Sequence, residues 1–166
     1  MASTVEKTVE VDCPVSTVYN QWTQFEEFPE FMDGVEEVRQ IDDSHLHWVA
    51  NVGGRRKEWD AEIVEQTPDR RISWRETAGP HNEGTVDFQP MDGGRTRVTA
   101  RICYEPEDFF EGVGDALGFM SRRVQADLER FKKFIERRGS ETGAWRGEIH
   151  GGRVESTPGD QGAPNL

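Results

Sequence analysis

A chain of 166 residues with 34% hydrophobic side chains is long enough for one domain with its own core, and five Trp and nine Phe concentrate burial in few positions. A net charge of −12 argues against general nucleic-acid binding. No apolar run approaches the ~20 residues of a membrane span, which argues against stable membrane insertion.

Met1 to Val11 carries Glu6, Lys7 and Glu10 where a signal peptide would have an apolar core, so the cytoplasm is the expected location. Within it, Val5, Lys7, Val9 and Val11 alternate with Thr4, Glu6, Thr8 and Glu10, which predicts a strand. Asp12-Cys13-Pro14 starts a helix with Pro14 at its first position; Val15, Val18, Tyr19 and Trp22 are its buried face. A second short helix is expected over Gln24 to Met32, with Phe25, Phe28, Phe31 and Met32 as its apolar side and Pro29 interrupting it.

Six strand segments follow: Val35 to Asp42, His45 to Val52, Arg55 to Gln66, Arg71 to Thr77, Glu83 to Gln89 and Thr96 to Glu105. Short Gly-, Pro- and Asp-rich turns separate them, so the sheet is expected to be antiparallel. Val113, Leu117, Met120, Val124, Leu128, Phe131 and Ile135 then recur at steps of three and four along one helix ending at Arg138. The predicted fold is α+β: a curved seven-stranded antiparallel sheet wrapped on that long C-terminal helix, with two short helices after the first strand.

Patterning stops at Gly139. Residues 1–138 are read as the domain and 139–166 as a flexible tail, with Trp145 and Ile149 as apolar exceptions. Arg122 to Arg138 carries seven bases and three acids, a net +4 against −16 for the rest. Cations there complement the helix dipole. The same surface, or the tail, is also a candidate docking site for an acidic protein partner.

The order of elements resembles the START-like helix-grip superfamily, in particular its polyketide cyclase/dehydrase and coenzyme Q-binding branch. Val11-Asp12-Cys13-Pro14-Val15-Ser16-Thr17-Val18-Tyr19 resembles that branch's strand-to-helix entry, and Phe28-Pro29-Glu30-Phe31 its lid signature. Trp59, Ile72-Ser73-Trp74 and Gly94-Arg95-Thr96-Arg97-Val98 resemble its central strands, and Glu105-Pro106 precedes the last helix as in the family. The resemblance spans about residues 3 to 138. It implies an apolar cavity for polyketides, lipids, quinones or similar molecules, and leaves catalysis open.

Strand parity and the helical stripe name the residues such a cavity would use. Trp48, Trp59, Trp74, Phe88 and Tyr104 from the sheet are expected to face Leu117 and Met120 of the helix, with Phe28 and Met32 near the mouth. Core packing alone is the competing reading of the same aromatics. If the chain is an enzyme that cyclises or dehydrates a polyketide-like substrate, Tyr104 and Glu76 are the candidate acid/base groups. Lys57 shares a face with Trp59, and a hairpin either brings it near Glu76 or leaves both in water at strand ends. No phosphate loop, nucleophile elbow or metal-spaced Cys/His cluster is present in the sequence, so no cofactor and no metal is assigned. His45 and His47 are read as solvent-facing, and Cys13 and Cys103 as free thiols at opposite ends of a ladder. An apolar small-molecule binder, an enzyme and a filled-core interaction module thus remain as three readings.

Overall fold

The computed structural model describes residues 3–52, 54–78, 81–105 and 116–156. Strand β1 (Ser3–Val11) leads into helix α1 (Val15–Trp22) and a 3₁₀ helix (Phe25–Glu30). Six strands follow: β2 (Val35–Asp42), β3 (His45–Val52), β4 (Arg55–Thr67), β5 (Arg71–Ala78), β6 (Asn82–Met91) and β7 (Arg95–Tyr104). Then come helix α2 (Ala116–Arg138) and a small hairpin of β8 (Glu148–His150) and β9 (Arg153–Ser156). The helix-grip fold read from the sequence is the fold observed, and its strand boundaries lie within a residue or two of those expected.

The sheet runs β1-β7-β6-β5-β4-β3-β2 with every pairing antiparallel. Register breaks in β2 and β4, between Val35 and Glu37 and between Ile63 and Glu65 among others, insert bulges that bend the strands. On α2, Met120, Val124, Leu128, Phe131 and Ile135 are buried. Val113, the first residue expected in that stripe, lies outside the described residues. The C-terminal half of α2 is fastened to β1, where Lys132 Nζ donates to the Glu10 carbonyl at 2.9 Å and the Asp12 N–H donates to Glu136 Oε2 at 2.7 Å.

The described part of the expected tail is not loose. Gln21 is fully buried; its Nε2 donates to Thr142 Oγ1 at 3.1 Å and its Oε1 accepts the Thr142 N–H at 2.8 Å. Thr23 Oγ1 accepts the Trp145 N–H at 2.9 Å, and Gln66 Nε2 donates to the carbonyls of Trp145 and Gly147. Arg146 pairs with Asp69 at 2.9 Å, and Ile149 is fully buried. A boundary at Gly139 therefore does not describe residues 139–156. The physical reason lies in β4, which outruns its neighbour: β3 pairs with it as far as Glu62, and β8 takes the vacant edge at Glu65 and Gln66. Buried amides on α1 and β4 also need backbone partners, and this strap supplies them.

Both cysteines are free. Thr4 pairs with Cys103 at one end of the β1–β7 ladder, and Val11, two residues before Cys13, pairs with Thr96 at the other.

Candidate functional site

Between the concave sheet, the 3₁₀ helix and α2 lies a cavity of about 150 Å³. Its sheet wall carries Trp48, Trp59, Trp74, Ile63 and Ile72; the 3₁₀ helix contributes Phe25 and Phe28, and Met32 follows it; α2 contributes Met120, Val124 and Leu128. Three polar side chains join them: Asn82, Arg123 and Asp127. A dry cavity of that size accommodates a single aromatic ring. It is smaller than the ~300–1,000 Å³ of most small-molecule sites.

Aromatic contacts give the wall its shape. Trp48 and Trp59 are directly paired across β3 and β4, and their rings stack 5.9 Å apart at 5°. Phe28 leans on Trp48 at 5.5 Å and meets Trp22 edge-on at 5.6 Å, so the lid helix rests on the same cluster. The Trp48 indole N–H is buried and has no hydrogen-bond partner among the described residues. A buried donor of this kind calls for an acceptor.

Polar contacts hold the mouth. Arg130 Nε donates to the Phe31 carbonyl at 2.9 Å, and the Asp33 N–H donates to Asp127 Oδ1 at 3.2 Å. Gly34 has φ +89°, and a Cβ built there would lie 2.5 Å from the Arg123 guanidinium, so glycine answers both the backbone and the close approach. Arg123 also lies 4.9 Å from the Phe119 ring centroid. The segment 31–34 is thus fastened to α2 by side chains alone.

Asp127 is the titratable group with a strongly displaced pKa in this wall. Burial pushes its carboxyl up to about 6, against the opposing pull of Arg130 at 2.5 Å, of Arg123 and of the Asp33 N–H. A group poised there can give or take a proton near neutral pH.

Of the residues expected to bind a ligand, Phe28, Met32, Trp48, Trp59, Trp74 and Met120 line this cavity. Phe88 does not: it is buried against Tyr19 and Trp22, because α1 fills that end of the sheet. Leu117 is 54% exposed on the first described turn of α2. Periodicity marks a helix face but not how far the opposing surface extends. Neither candidate acid/base residue is part of the described lining. Tyr104 is fully buried opposite Ser3 and Asn82, and Glu76 contacts His81 at 3.3 Å. Lys57 is not beside Glu76: it pairs with Ala50, whereas Glu76 pairs with Ala61, four residues further along β4 and about 13 Å away.

Sequence reasoning missed Arg123, Asp127 and Asn82. The first two flank Val124 and Leu128 of the apolar stripe, a position that could have flagged them. His47 is less open than expected, held between Asp60 at 2.6 Å and Glu58 at 3.1 Å, and the Asp60 hydrogen bond raises its pKa. Among the described residues no group of three or more His, Cys, Asp or Glu is placed to hold a metal ion, and no helix is long and apolar enough to cross a membrane. Of the basic residues on α2, Arg130 and Lys132 are paired with Asp127 and Glu136, whereas Arg122, Lys133, Arg137 and Arg138 are exposed.

Comparison with known proteins agrees with this geometry. Residues 11–133 match the family described as polyketide cyclase / dehydrase and lipid transport. An uncharacterized 17.2 kDa protein of Streptomyces lincolnensis is 51% identical over 148 residues, covering 89% of this chain and 99% of its own. A Deinococcus radiodurans crystal structure is 27% identical with a TM-score of 0.65, covering 82% of this chain and 99% of that one. The Zhui aromatase/cyclase of a Streptomyces species shares the fold at 19% identity and a TM-score of 0.69, covering 87% and 99% of the two chains.

Proposed function

The chain belongs to the polyketide cyclase/dehydrase and lipid transport family, and on that premise we propose that it binds an apolar, ring-containing small molecule between sheet and helix. The observation that carries this reading is the cavity itself, walled by four tryptophans, Trp22, Trp48, Trp59 and Trp74, together with Phe28 and Met32. A core filled for stability alone would leave no such space. The Trp48 N–H is sealed from solvent and lacks a partner among the described residues, so a ligand with an oxygen acceptor, such as a quinone or polyketide carbonyl, gains over a plain hydrocarbon only if the indole turns that edge toward it. Ligands larger than one ring require a wall to yield, and segment 31–34 is the wall that lies outside the sheet ladders and α2, held among the described residues by Arg130, Asp127 and a single backbone bond from the Asn51 N–H to the Gly34 carbonyl across to β3.

Titration with flat polycyclic compounds, quinones and fatty acids tests the reading. Binding is expected to quench or shift tryptophan fluorescence and to raise the thermal midpoint, and Trp74→Ala is expected to weaken it. If every class leaves both signals unchanged at high concentration, the binder reading loses its support and the interaction-module reading, through the exposed cations of α2 or the tail, takes the lead.

A second reading, cyclisation or dehydration of a polyketide-like chain, is favoured by Asp127. Its carboxyl lines the cavity with a pKa of about 6, a range suited to general acid/base work, and Tyr104 and Glu76 give up that role in this reading. The cavity would fold the substrate so that its reacting carbons meet. An enzyme of this kind would lose turnover in Asp127→Asn while keeping ligand affinity.

A further inference from the structure

Gly84 is a buried glycine in the middle of β6, hydrogen-bonded into the sheet between Trp74 on β5 and Ile102 on β7. Glycine weakens a strand interior, so its presence there asks for a reason. The backbone does not supply one, because Gly84 is not among the residues with positive φ. Space does. A Cβ at Gly84 would lie 2.7 Å from Cη2 and 2.9 Å from Cε2 of the Trp74 indole, and closer still to Cζ2. Carbon atoms in contact prefer about 3.5–4.0 Å. The six-membered ring of Trp74 therefore occupies the place of the missing side chain and lies down on β6.

Trp74 lines the cavity, and so does Ile102, the other cross-strand neighbour of Gly84. We propose that Gly84 is a specificity-determining residue: by letting Trp74 lie flat, it sets the width of the cavity and leaves room on the sheet side for a second ring once segment 31–34 yields. The proposal rests on the small-molecule reading above. A methyl group at position 84 has two ways to be accommodated. Either the sheet parts, or the indole lifts by about 1 Å into the cavity. β6 is paired on both sides, so parting it breaks ladder hydrogen bonds. Trp74 is half-buried and held by packing, so the ring moves. The cavity of about 150 Å³ holds one ring, so a ring face displaced along its whole area takes up the width that a second ring needs when segment 31–34 yields.

Phenol and 2-naphthol, one and two rings with the same hydroxyl, are the probes. Gly84→Ala is expected to weaken 2-naphthol by about 10–200-fold, the effect of misfitting a small apolar group, and phenol by about threefold or less. Adding Trp74→Phe, which removes the clashing ring atoms, restores 2-naphthol binding and any lost thermal stability. Equal losses for both probes, or no loss, overturn the proposal; so does a Gly84→Ala protein that fails to fold and is not rescued by Trp74→Phe. Xenon uptake reads the cavity without any organic ligand. Lower uptake in Gly84→Ala than in the wild type upholds the role of Gly84 even if the wild type binds neither probe, in which case it is the small-molecule reading that fails. Unchanged uptake overturns the proposal whatever the probes do.

Discussion

Trp48 and Trp59 face each other directly across β3 and β4 and stack 5.9 Å apart, only 5° from parallel, in the wall of the cavity. Such a pair adds about 0.5–1.5 kcal/mol beyond its buried area. Trp59→Ala is expected to destabilise the fold by about 3–5 kcal/mol in urea titration, since it removes the stack and enlarges the cavity together. A double-mutant cycle with Trp48→Ala is expected to return a coupling of about 1 kcal/mol.

Asp127 makes stability depend on pH in an unusual direction for a carboxylate. Its pKa in the folded state is about 6, above the ~3.9 of an unfolded aspartate. Between those values the folded protein binds more protons than the unfolded one, so the contribution of Asp127 falls as pH rises from 4 towards 6 and stays at its low value above. Asp127→Asn holds the group neutral. Relative to wild type, it is expected to gain about 2 kcal/mol on going from pH 4 to pH 7.5. Chemical denaturation at the two pH values checks the sign, and carboxyl NMR titration checks the pKa.

The strap after α2 contributes to the core. Ile149→Ala is expected to cost about 2–5 kcal/mol, the range for a fully buried aliphatic side chain. Gln66→Leu leaves the carbonyls of Trp145 and Gly147 without the amide that serves both, and about 1–3 kcal/mol of destabilisation is expected. If both variants melt like the wild type, residues 139–150 are not part of the folding unit.

The thiols should differ in reactivity. Cys13 is buried, and burial raises its pKa, so an aromatic disulfide reagent at neutral pH is expected to leave it unmodified in the native protein. Cys103 is partly exposed, and both thiols should titrate once the chain is denatured without reductant.

Much of this molecule is written locally. The alternation of Val5, Val9 and Val11 with charged residues, the Gly-rich turns and the three-four spacing from Met120 to Ile135 depend on near neighbours only, so strands, turns and helix could be read in order. Side-chain parity likewise placed Trp48, Trp59 and Trp74 on one face, since successive residues of any strand alternate. Position along a strand is another matter. Phe88 and Tyr104 share the cavity's parity but lie beyond its ends, where α1 and the β1–β7 edge cover the sheet. Arg123 and Asp127 read as ordinary polar flanks until the segment 31–34 comes down on the helix and shields most of Asp127 from water. The strap pairs residues some eighty positions apart, Gln66 with Ile149, through an edge left open because β4 is longer than β3. Local pattern specifies which face of each element is apolar; what covers that face, and whether the cover fits tightly or leaves a cavity, arises from contacts between distant segments that no window of the sequence contains.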